Sequence, residues 1–257
     1  MDNKSFDSKR IAAGYANRPW LHKSVIEQLR RDCAIEGCFK NGLDVGCGAG
    51  LSTKALKLIC GNVTGTDISQ AMIEVCKELY QEKEYSVYVA AAEETKVPLK
   101  PYDIVTAAGV INWVDKDRFL ANMHRVMEGD GLLVIYDFGI TPKMAGNEAY
   151  THWYSREYLT NFPKPPRKEN IWMQEDVGEN FRIEKQVAYE ISYEFDLQSF
   201  VDFMMIQSNV NVQISNGKKA EEDVRKWMEE TLQPIFAGNR KTLIFEGYSW
   251  YITHLKG

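Results

Sequence analysis

The stretch NGLDVGCGAGLSTKAL, residues 41–56, places four glycines, one aspartate and a short apolar run within sixteen positions. The apolar residues before the glycines predict a brief buried strand, and LSTKAL predicts a helix whose first turn directly abuts the loop. A glycine loop between a strand and a helix is typical of several kinds of ligand site in α/β proteins, and the spacing of the glycines separates them.

The spacing excludes one kind of glycine loop and disfavours another. A phosphate-binding P-loop needs Lys followed by Ser or Thr after its last glycine, whereas Gly50 is followed by Leu51. The dinucleotide fingerprint is G-x-G-x-x-G, but the glycines here are Gly46, Gly48 and Gly50, in the tighter order G-x-G-x-G. Glycine still lets a ligand lie against bare backbone, because it has no Cβ and tolerates unusual φ and ψ.

Strand and helix patterns alternate along the first 140 residues. Such alternation predicts a parallel sheet with helices on both faces, since crossovers between parallel strands are right-handed. The predicted fold is α/β: a Rossmann-like, doubly wound, mostly parallel seven-stranded sheet with an antiparallel edge strand and a helical cap. After the glycine loop, strands are predicted at 62–67, 85–93, 102–110 and 131–139, and two long late strands at 181–195 and 240–255.

The whole chain is interpreted as one domain. Its parts are a core sheet at about 41–140 plus 181–195 and 240–255, and a helical cap from about 1–40 and 141–235. Ser69 is predicted to cap the helix after the second strand.

Composition narrows the class of protein. With 257 residues, 44% hydrophobic and a formal net charge of −5, the chain is expected to form a packed globular core and to bind a small molecule rather than nucleic acid. No secretory signal or stretch of about 18 apolar residues is visible, so we expect a cytoplasmic protein without a membrane span. The five cysteines are predicted to be buried free thiols, with no metal site. A monomer or weak homodimer is expected.

Two acids follow predicted strands and suggest the ligand. Asp44 lies directly before the glycine loop, where a carboxylate would repel pyrophosphate and attract an ammonium group. Asp67 follows the last glycine by 17 residues, near the ~20 at which an acid binds ribose hydroxyls in nucleotide-binding sheets. An adenosine joined to an amino acid satisfies both acids, and this describes S-adenosylmethionine.

Five motifs in order carry a resemblance to a known family: LDVGCGAG, VTGTDIS, AAAEETKVP, YDIVTAAGVINWVD and RVMEGDGLLVI. With them, residues from about 10 to 140 resemble the class I S-adenosylmethionine-dependent methyltransferases, and within them the small-molecule branch of trans-aconitate methyltransferase-like enzymes. Beyond residue 140 the resemblance is weak. The segment YANRP resembles the amino-terminal element of these enzymes.

The resemblance implies a set of cofactor-binding residues. Asp44 and the glycine loop would face the methionine part of the cofactor, and Asp67 would bind the ribose. Ile68 with Met72, and Ala92 with Glu93, would contact the adenine, while Ala108 and Gly109 would line the methyl side. Tyr15 and Arg18, in YANRP, would close over the cofactor carboxylate. The implied residues are Tyr15, Arg18, Asp44, Gly46, Cys47, Gly48, Gly50, Asp67, Ile68, Met72, Ala92, Glu93, Ala108 and Gly109.

Candidate acceptor-binding residues lie after the fourth strand and in the cap. Related enzymes often carry His or Gln directly before the Trp of the strand-four loop, but here the residue is Asn112, which cannot take a proton, so no catalytic residue is assigned. An aromatic cluster at 152–158 suits either a pocket lid or ordinary core packing. The candidates are Asn112, Trp113, Tyr154, Arg156, Met204 and Ser208.

The predicted function is S-adenosylmethionine-dependent methylation of a small organic metabolite, with a carboxylate as one candidate acceptor group. Two alternatives stay open. A nicotinamide-dependent oxidoreductase would share the sheet and Asp67, and a non-catalytic S-adenosylmethionine-binding module would share the site without an acceptor pocket.

Overall fold

The structure is a computed structural model that describes residues 8–96, 100–164 and 172–255. The structure does not describe residues 1–7, 97–99, 165–171 and 256–257. Predictions for these positions, at the two ends of the chain, at the end of the AAAEETKVP motif and within the cap, therefore lie outside the described residues. Within the described ranges, no helix has both the length and the apolar content needed to cross a membrane.

Seven strands form one sheet in the order β3-β2-β1-β4-β5-β7-β6. The strands are β1 (Phe39–Val45), β2 (Cys60–Asp67), β3 (Tyr85–Val89), β4 (Tyr102–Ala108), β5 (Met127–Met144), β6 (Phe181–Phe195) and β7 (Lys241–His254). Pairings among β1 to β5 are parallel, and β7 is antiparallel to both β5 and β6. The predicted fold class is therefore confirmed, including the late antiparallel pair at one edge.

Helices cover both faces of the parallel part of the sheet, as short crossovers between parallel strands require. They are α1 (Lys9–Ala16), α2 (His22–Asp32), α3 (Leu51–Leu56), α4 (Gln70–Leu79) and α5 (Lys116–Val126). Ser69 caps α4 as predicted, because its side chain accepts a hydrogen bond from the Met72 N–H. The last four residues of β1 are fully buried, as expected for a central strand covered on both faces.

The cap follows β5 and packs over one end of the sheet. It consists of α6 (Glu148–His152), a π-helical segment (Trp153–Tyr158), α7 (Leu159–Asn161), α8 (Gln174–Val177), α9 (Leu197–Met205), α10 (Ser208–Ser215) and α11 (Glu221–Phe236). β5 is longer than predicted and continues to Met144, because it pairs with β7 along most of its length, so the cap begins later than residue 141.

One large hydrophobic cluster joins the cap to the sheet. It contains sheet residues such as Ile104 and Val134 together with cap residues such as Tyr150, Phe200 and Leu232. The cysteines are all free, but the prediction that they are buried is wrong for two of them. Cys33 and Cys38 are exposed because they lie in the connection from α2 to β1, outside both elements.

Candidate active site

A cavity of about 800 Å³ lies beyond the carboxyl ends of β1, β2 and β4 and beside residues 136–140 of β5. This is where doubly wound sheets bind ligands, because the strand order reverses there and opens a crevice between the connecting loops. The cap and the amino-terminal helices both contribute residues to the cavity wall, Tyr15 from α1 and Phe203 from α9. The volume falls within the ~300–1,000 Å³ typical of ligand sites.

The glycine loop forms one wall of this cavity, with Gly46, Cys47 and Gly48 among the lining residues. Gly46 has φ +66°, and a Cβ there would lie 2.2 Å from Val110 Cγ2, so only glycine fits. The end of β2 holds the loop through two hydrogen bonds. The Cys47 N–H donates to the Thr66 carbonyl oxygen (2.9 Å), and the Gly48 N–H donates to Asp67 Oδ2 (2.9 Å).

Gly50 corrects part of the prediction for this loop. It does not line the cavity; a Cβ at this position would lie 2.5 Å from Tyr80 Cε2 and 2.6 Å from Cys76 Sγ, both on the α4 side. Gly50 is therefore needed for the close packing of the α3 start against the end of α4, and not for contact with a ligand in the cavity.

Asp44 is also placed differently from the prediction. Its side chain is fully buried beneath the loop and does not line the cavity. Oδ2 accepts hydrogen bonds from Ser52 Oγ (2.6 Å) and Thr53 Oγ1 (2.7 Å), and Oδ1 accepts one from Thr106 Oγ1 (2.8 Å). Burial, and to a smaller extent the nearby Asp67, raises the pKa of the carboxyl to about 6 despite these three donors. Asp44 ties the loop to α3 and β4 instead of facing a ligand directly.

The end of β2 supplies the second predicted acid at the cavity wall. Asp67 lines the cavity, and its carboxylate also accepts the Ser69 N–H through Oδ1 (2.8 Å), which fixes its orientation. Ile68 is 55% exposed at the mouth of the cavity, and Met72 lies buried in its wall. An exposed apolar side chain beside an oriented carboxylate suits a ligand with a ribose and a planar base.

The remaining predicted cofactor residues complete this end of the cavity. Ala92 and Glu93 follow β3 and line it, and Glu93 Oε1 accepts the Asp115 N–H (2.9 Å). Ala108 and Gly109 end β4 and line the cavity near its centre; the Gly109 N–H donates to the Tyr136 carbonyl oxygen (2.8 Å).

Tyr15 and Arg18 both line the cavity, from the end of α1 and the connection that follows. The Arg18 guanidinium stacks on the Tyr15 ring, 3.7 Å from its centroid, and Nη2 donates to the Ile206 carbonyl oxygen (3.2 Å). The Nε atom of Arg18 is buried and has no hydrogen-bond partner within the described ranges. A buried donor of this kind is costly unless a partner completes it, and a ligand carboxylate would do so.

The predicted acceptor residues divide into two groups. Asn112 and Trp113, after β4, and Ser208, at the start of α10, line the cavity. Trp113 is 46% exposed, so one face of its ring is available to a ligand or to solvent.

Tyr154, Arg156 and Met204 do not line the cavity, so these three predictions are wrong. The Tyr154 ring is buried between β5 and the rest of the cap, with its hydroxyl donating to the Ile140 carbonyl oxygen (3.3 Å). Met204 is fully buried in the large hydrophobic cluster. Arg156 is exposed, because the helical segment that carries it turns its aromatic face toward the core and its polar face outward.

Several cavity residues were not predicted. The residues YDFG at 136–139 end the fifth strand as predicted from the sequence, so they could have been found by looking for ligand-binding residues at the end of that predicted strand as well. The others come from α2 and from the cap, and their positions depend on how these helices fold over the sheet. The residues that sequence reasoning missed include His22, Tyr136, Asp137, Phe138, Phe203, Gln207 and Asn209. Within the described residues, no group of three or more His, Cys, Asp or Glu side chains is placed to hold a metal ion.

Comparison with known proteins identifies the domain that carries this cavity. Residues 43–135 match the family model described as a methyltransferase domain. The UbiE ubiquinone/menaquinone biosynthesis C-methyltransferase of Geotalea uraniireducens is 33% identical over 125 residues, which are 46% of this chain and 53% of that protein. The chain spans about half the length of the curated relatives it matches.

Solved structures share the fold over most of the chain. A protein of Anaeromyxobacter dehalogenans, provisionally described as a type II methyltransferase, aligns with a TM-score of 0.70 at 19% identity, covering 91% of this chain and 97% of that one. Phosphoethanolamine N-methyltransferase 2 of Haemonchus contortus, solved in complex with S-adenosyl-L-methionine, aligns with a TM-score of 0.50 at 16% identity, covering 93% and 53%. The family match identifies residues 43–135 as a methyltransferase domain, and the solved structures show that the fold of the chain is shared with methyltransferases.

Proposed function

We propose that this protein transfers a methyl group from S-adenosylmethionine to a small organic molecule. The observation that carries the proposal is one continuous cavity with two chemically different ends. At one end are the glycine loop and the oriented Asp67 carboxylate; at the other, beyond β4 and β5, aromatic and polar side chains surround further space. A catalyst of group transfer needs both ligands in contact within one cavity.

The cofactor fits the residues at the first end. Asp67 would accept hydrogen bonds from the ribose hydroxyls, Ile68 would pack on the adenine, and Met72 would close the wall behind it. The buried, unpartnered Nε atom of Arg18 would donate to the carboxylate of the methionine part. When bound, the sulfonium supplies a methyl group with a neutral leaving group.

The protein's own contribution to the reaction is mainly positioning and exclusion of water. Holding the acceptor atom in line behind the methyl group is worth up to roughly 7–11 kcal/mol of the barrier. Asn112 lines the cavity after β4 but cannot take a proton at neutral pH, so it would orient the acceptor and not deprotonate it.

The acceptor group that this site favours is a carboxylate. An ionised carboxylate needs no base, and the ammonium of Lys164 lines the cavity. The resemblance to the trans-aconitate methyltransferase branch is consistent with such an acceptor, and this resemblance stays a prediction.

The two alternatives make different predictions about ligands. A nicotinamide-dependent oxidoreductase would be stabilised by NADH, and a non-catalytic module would bind S-adenosylmethionine without turnover. The methyltransferase family match favours methyl transfer over hydride transfer, and the space beyond β4 and β5 favours an acceptor-binding enzyme over a module without an acceptor pocket.

The decisive experiment measures cofactor binding by calorimetry and thermal shift. S-adenosylhomocysteine should bind and raise the melting temperature, NADH should not, and a panel of small carboxylates should yield S-adenosylhomocysteine from S-adenosylmethionine. Asp67→Ala should abolish cofactor binding in a protein that still unfolds cooperatively. Glu78→Ala, which removes an exposed acid on α4, is the matched control and should bind normally. Unchanged S-adenosylhomocysteine affinity in Asp67→Ala would overturn the assignment.

A further inference from the structure

His22 and Tyr136 form a hydrogen-bonded pair in the wall of the cavity. His22 is the first residue of α2, Tyr136 lies in the middle of β5, beside Ala108 at the end of β4, and both line the cavity. His22 Nδ1 lies 2.9 Å from the Tyr136 hydroxyl oxygen. Phe138 packs edge-on against the imidazole, with ring centroids 4.9 Å apart. Two neighbours on one strand therefore fix the orientation of the ring.

The pair lies at the end of the cavity away from the adenosine-binding residues. The sheet order puts β2, with Asp67, on one side of β1, and β4 followed by β5 on the other. A ligand on the glycine loop with its ribose at Asp67 therefore extends toward β4 and β5. The side chains in the middle of β5, level with the end of β4, lie on the acceptor side.

The pKa shifts and the hydrogen bond between the two side chains determine which atoms of the pair carry protons. Burial raises the pKa of Tyr136 well above its ordinary value, so the hydroxyl keeps its proton. Burial, and then the positive charge of Arg18, lowers the pKa of His22 to about 3, so the ring is neutral near pH 7. The buried hydroxyl has His22 Nδ1 as its partner and satisfies its proton by donating to that nitrogen.

This arrangement leaves Nε2 of His22 as the protonated nitrogen. Within the described residues, Nε2 makes no hydrogen bond, although the side chain lines the cavity and is partly exposed. A neutral imidazole whose other nitrogen accepts a hydrogen bond presents a single N–H donor. His22 thus presents one N–H donor of fixed orientation to the acceptor end of the cavity.

We propose that His22 is an acceptor-positioning residue: its neutral ring, oriented by Tyr136 and Phe138, donates the Nε2–H to an oxygen anion of the methyl acceptor. The proposal rests on the proposed function and narrows its substrate class to molecules that arrive as oxyanions, carboxylates above all.

The chemistry balances without a base. One carboxylate oxygen supplies the electron pair of the new O–C bond, the electron pair of the C–S bond stays on sulfur, and no proton has to leave. An amine or alcohol acceptor would have to lose a proton during or after the transfer, and a histidine that is a fixed N–H donor does not accept it. His22 therefore selects for acceptors that are already deprotonated.

The test uses nitrogen-15 spectra of the histidine rings at pH 7. The chain has four histidines, and His22→Gln assigns the His22 signals by their loss. We expect the neutral Nε2–H tautomer in the wild type and a mixture of tautomers in Tyr136→Phe, which lacks the donated proton. A His22 ring that is cationic, or that carries its proton on Nδ1, would overturn the proposal whether or not a cofactor binds.

A second arm tests contact with the acceptor. Acetate, benzoate and succinate are titrated into protein saturated with S-adenosylhomocysteine; at least one should shift the His22 Nε2 resonance. Its dissociation constant should rise about ten-fold or more in His22→Phe, which keeps a ring but loses the donor, while His22→Gln, which restores an N–H, should recover much of the affinity. His152→Gln, at an exposed site in the cap, is the control.

The outcomes separate the two proposals. Failure of S-adenosylhomocysteine to bind the wild type contradicts the proposed function, while the tautomer of the free protein still reports on His22. Normal cofactor binding together with no carboxylate-induced shift at His22 contradicts the acceptor-positioning role alone.

Discussion

Asp44 is a buried carboxyl whose charge depends on what binds above it. Its three hydroxyl partners hold it beneath the glycine loop, and its pKa is raised to about 6. Asp67, which lines the cavity, contributes to this shift, so charges in the cavity reach the buried group. A ligand with an ammonium group on the loop would favour the ionised form and lower the pKa of Asp44.

Cofactor affinity should therefore rise with pH through the pKa of Asp44. In the free protein Asp44 is largely protonated below pH 6, and binding of the cationic group releases that proton, so affinity falls as the pH drops. We expect the dissociation constant of S-adenosylhomocysteine to increase from pH 7 to pH 5 by up to about ten-fold per pH unit below 6.

Calorimetry between pH 5 and 8 measures this dependence, and Asp44→Asn should flatten it. Asp103→Asn is the control, because Asp103 accepts the Lys40 and Asn41 N–H groups at the opposite end of the same strands. The same pH dependence in wild type and Asp44→Asn would show that another group is responsible.

At the scale of elements, the aromatic segment after β5 is part of the core and not a lid. Trp153 is 1% exposed, stacks against Tyr158 and Trp227, and donates its Nε1–H to Thr231 Oγ1 (2.9 Å). Of the two interpretations open for this segment, core packing is what the structure shows for Trp153, Tyr154 and Tyr158. These contacts join the π-helical segment to α11.

Trp153→Ala should destabilise the protein by about 3–5 kcal/mol, because it leaves a large cavity in the cap and removes the hydrogen bond to Thr231. Arg156→Ala, three residues later and exposed, should change the free energy of unfolding by no more than about 0.5 kcal/mol. Urea denaturation measures both. A loss below about 1 kcal/mol for Trp153→Ala would mean that the cap packs less tightly than the structure shows.

At the scale of the whole molecule, cap and sheet share a hydrophobic core. The cluster that includes Ile104 of β4 and Val134 of β5 also includes Tyr150, Phe200 and Leu232 of the cap. Neither part can lose its packing without exposing apolar surface on the other. This continuity supports the proposal that residues 1–257 form one domain.

One cooperative unfolding transition is therefore expected in calorimetry, with equal van't Hoff and calorimetric enthalpies. S-adenosylhomocysteine at 100 times its dissociation constant should stabilise the whole protein by about 2.7 kcal/mol and shift that single transition upward. Two separate transitions, with only one shifted by ligand, would contradict a shared core and divide the cap from the sheet.

The sequence by itself determined the features that depend on local and periodic patterns of residues. The alternation of strands and helices, the glycine spacing after the first strand and the acid after the second are short-range patterns. They led to the fold class that the structure shows and to the methyltransferase domain that residues 43–135 match. Asp67 was found because strand ends in a parallel sheet meet at one edge.

Only the tertiary structure decided which side chains meet across the cavity. His22 and Tyr136 are 114 residues apart, and their contact depends on how α2 docks against β5. Asp44 and Gly50 belong to the same motif as Gly46 and Gly48 but do not line the cavity. Asp44 is hydrogen-bonded to hydroxyls of α3 and β4, and Gly50 packs against the end of α4. Spacing along the chain predicts that a loop exists, but packing from distant segments determines which atoms of that loop remain accessible to a ligand.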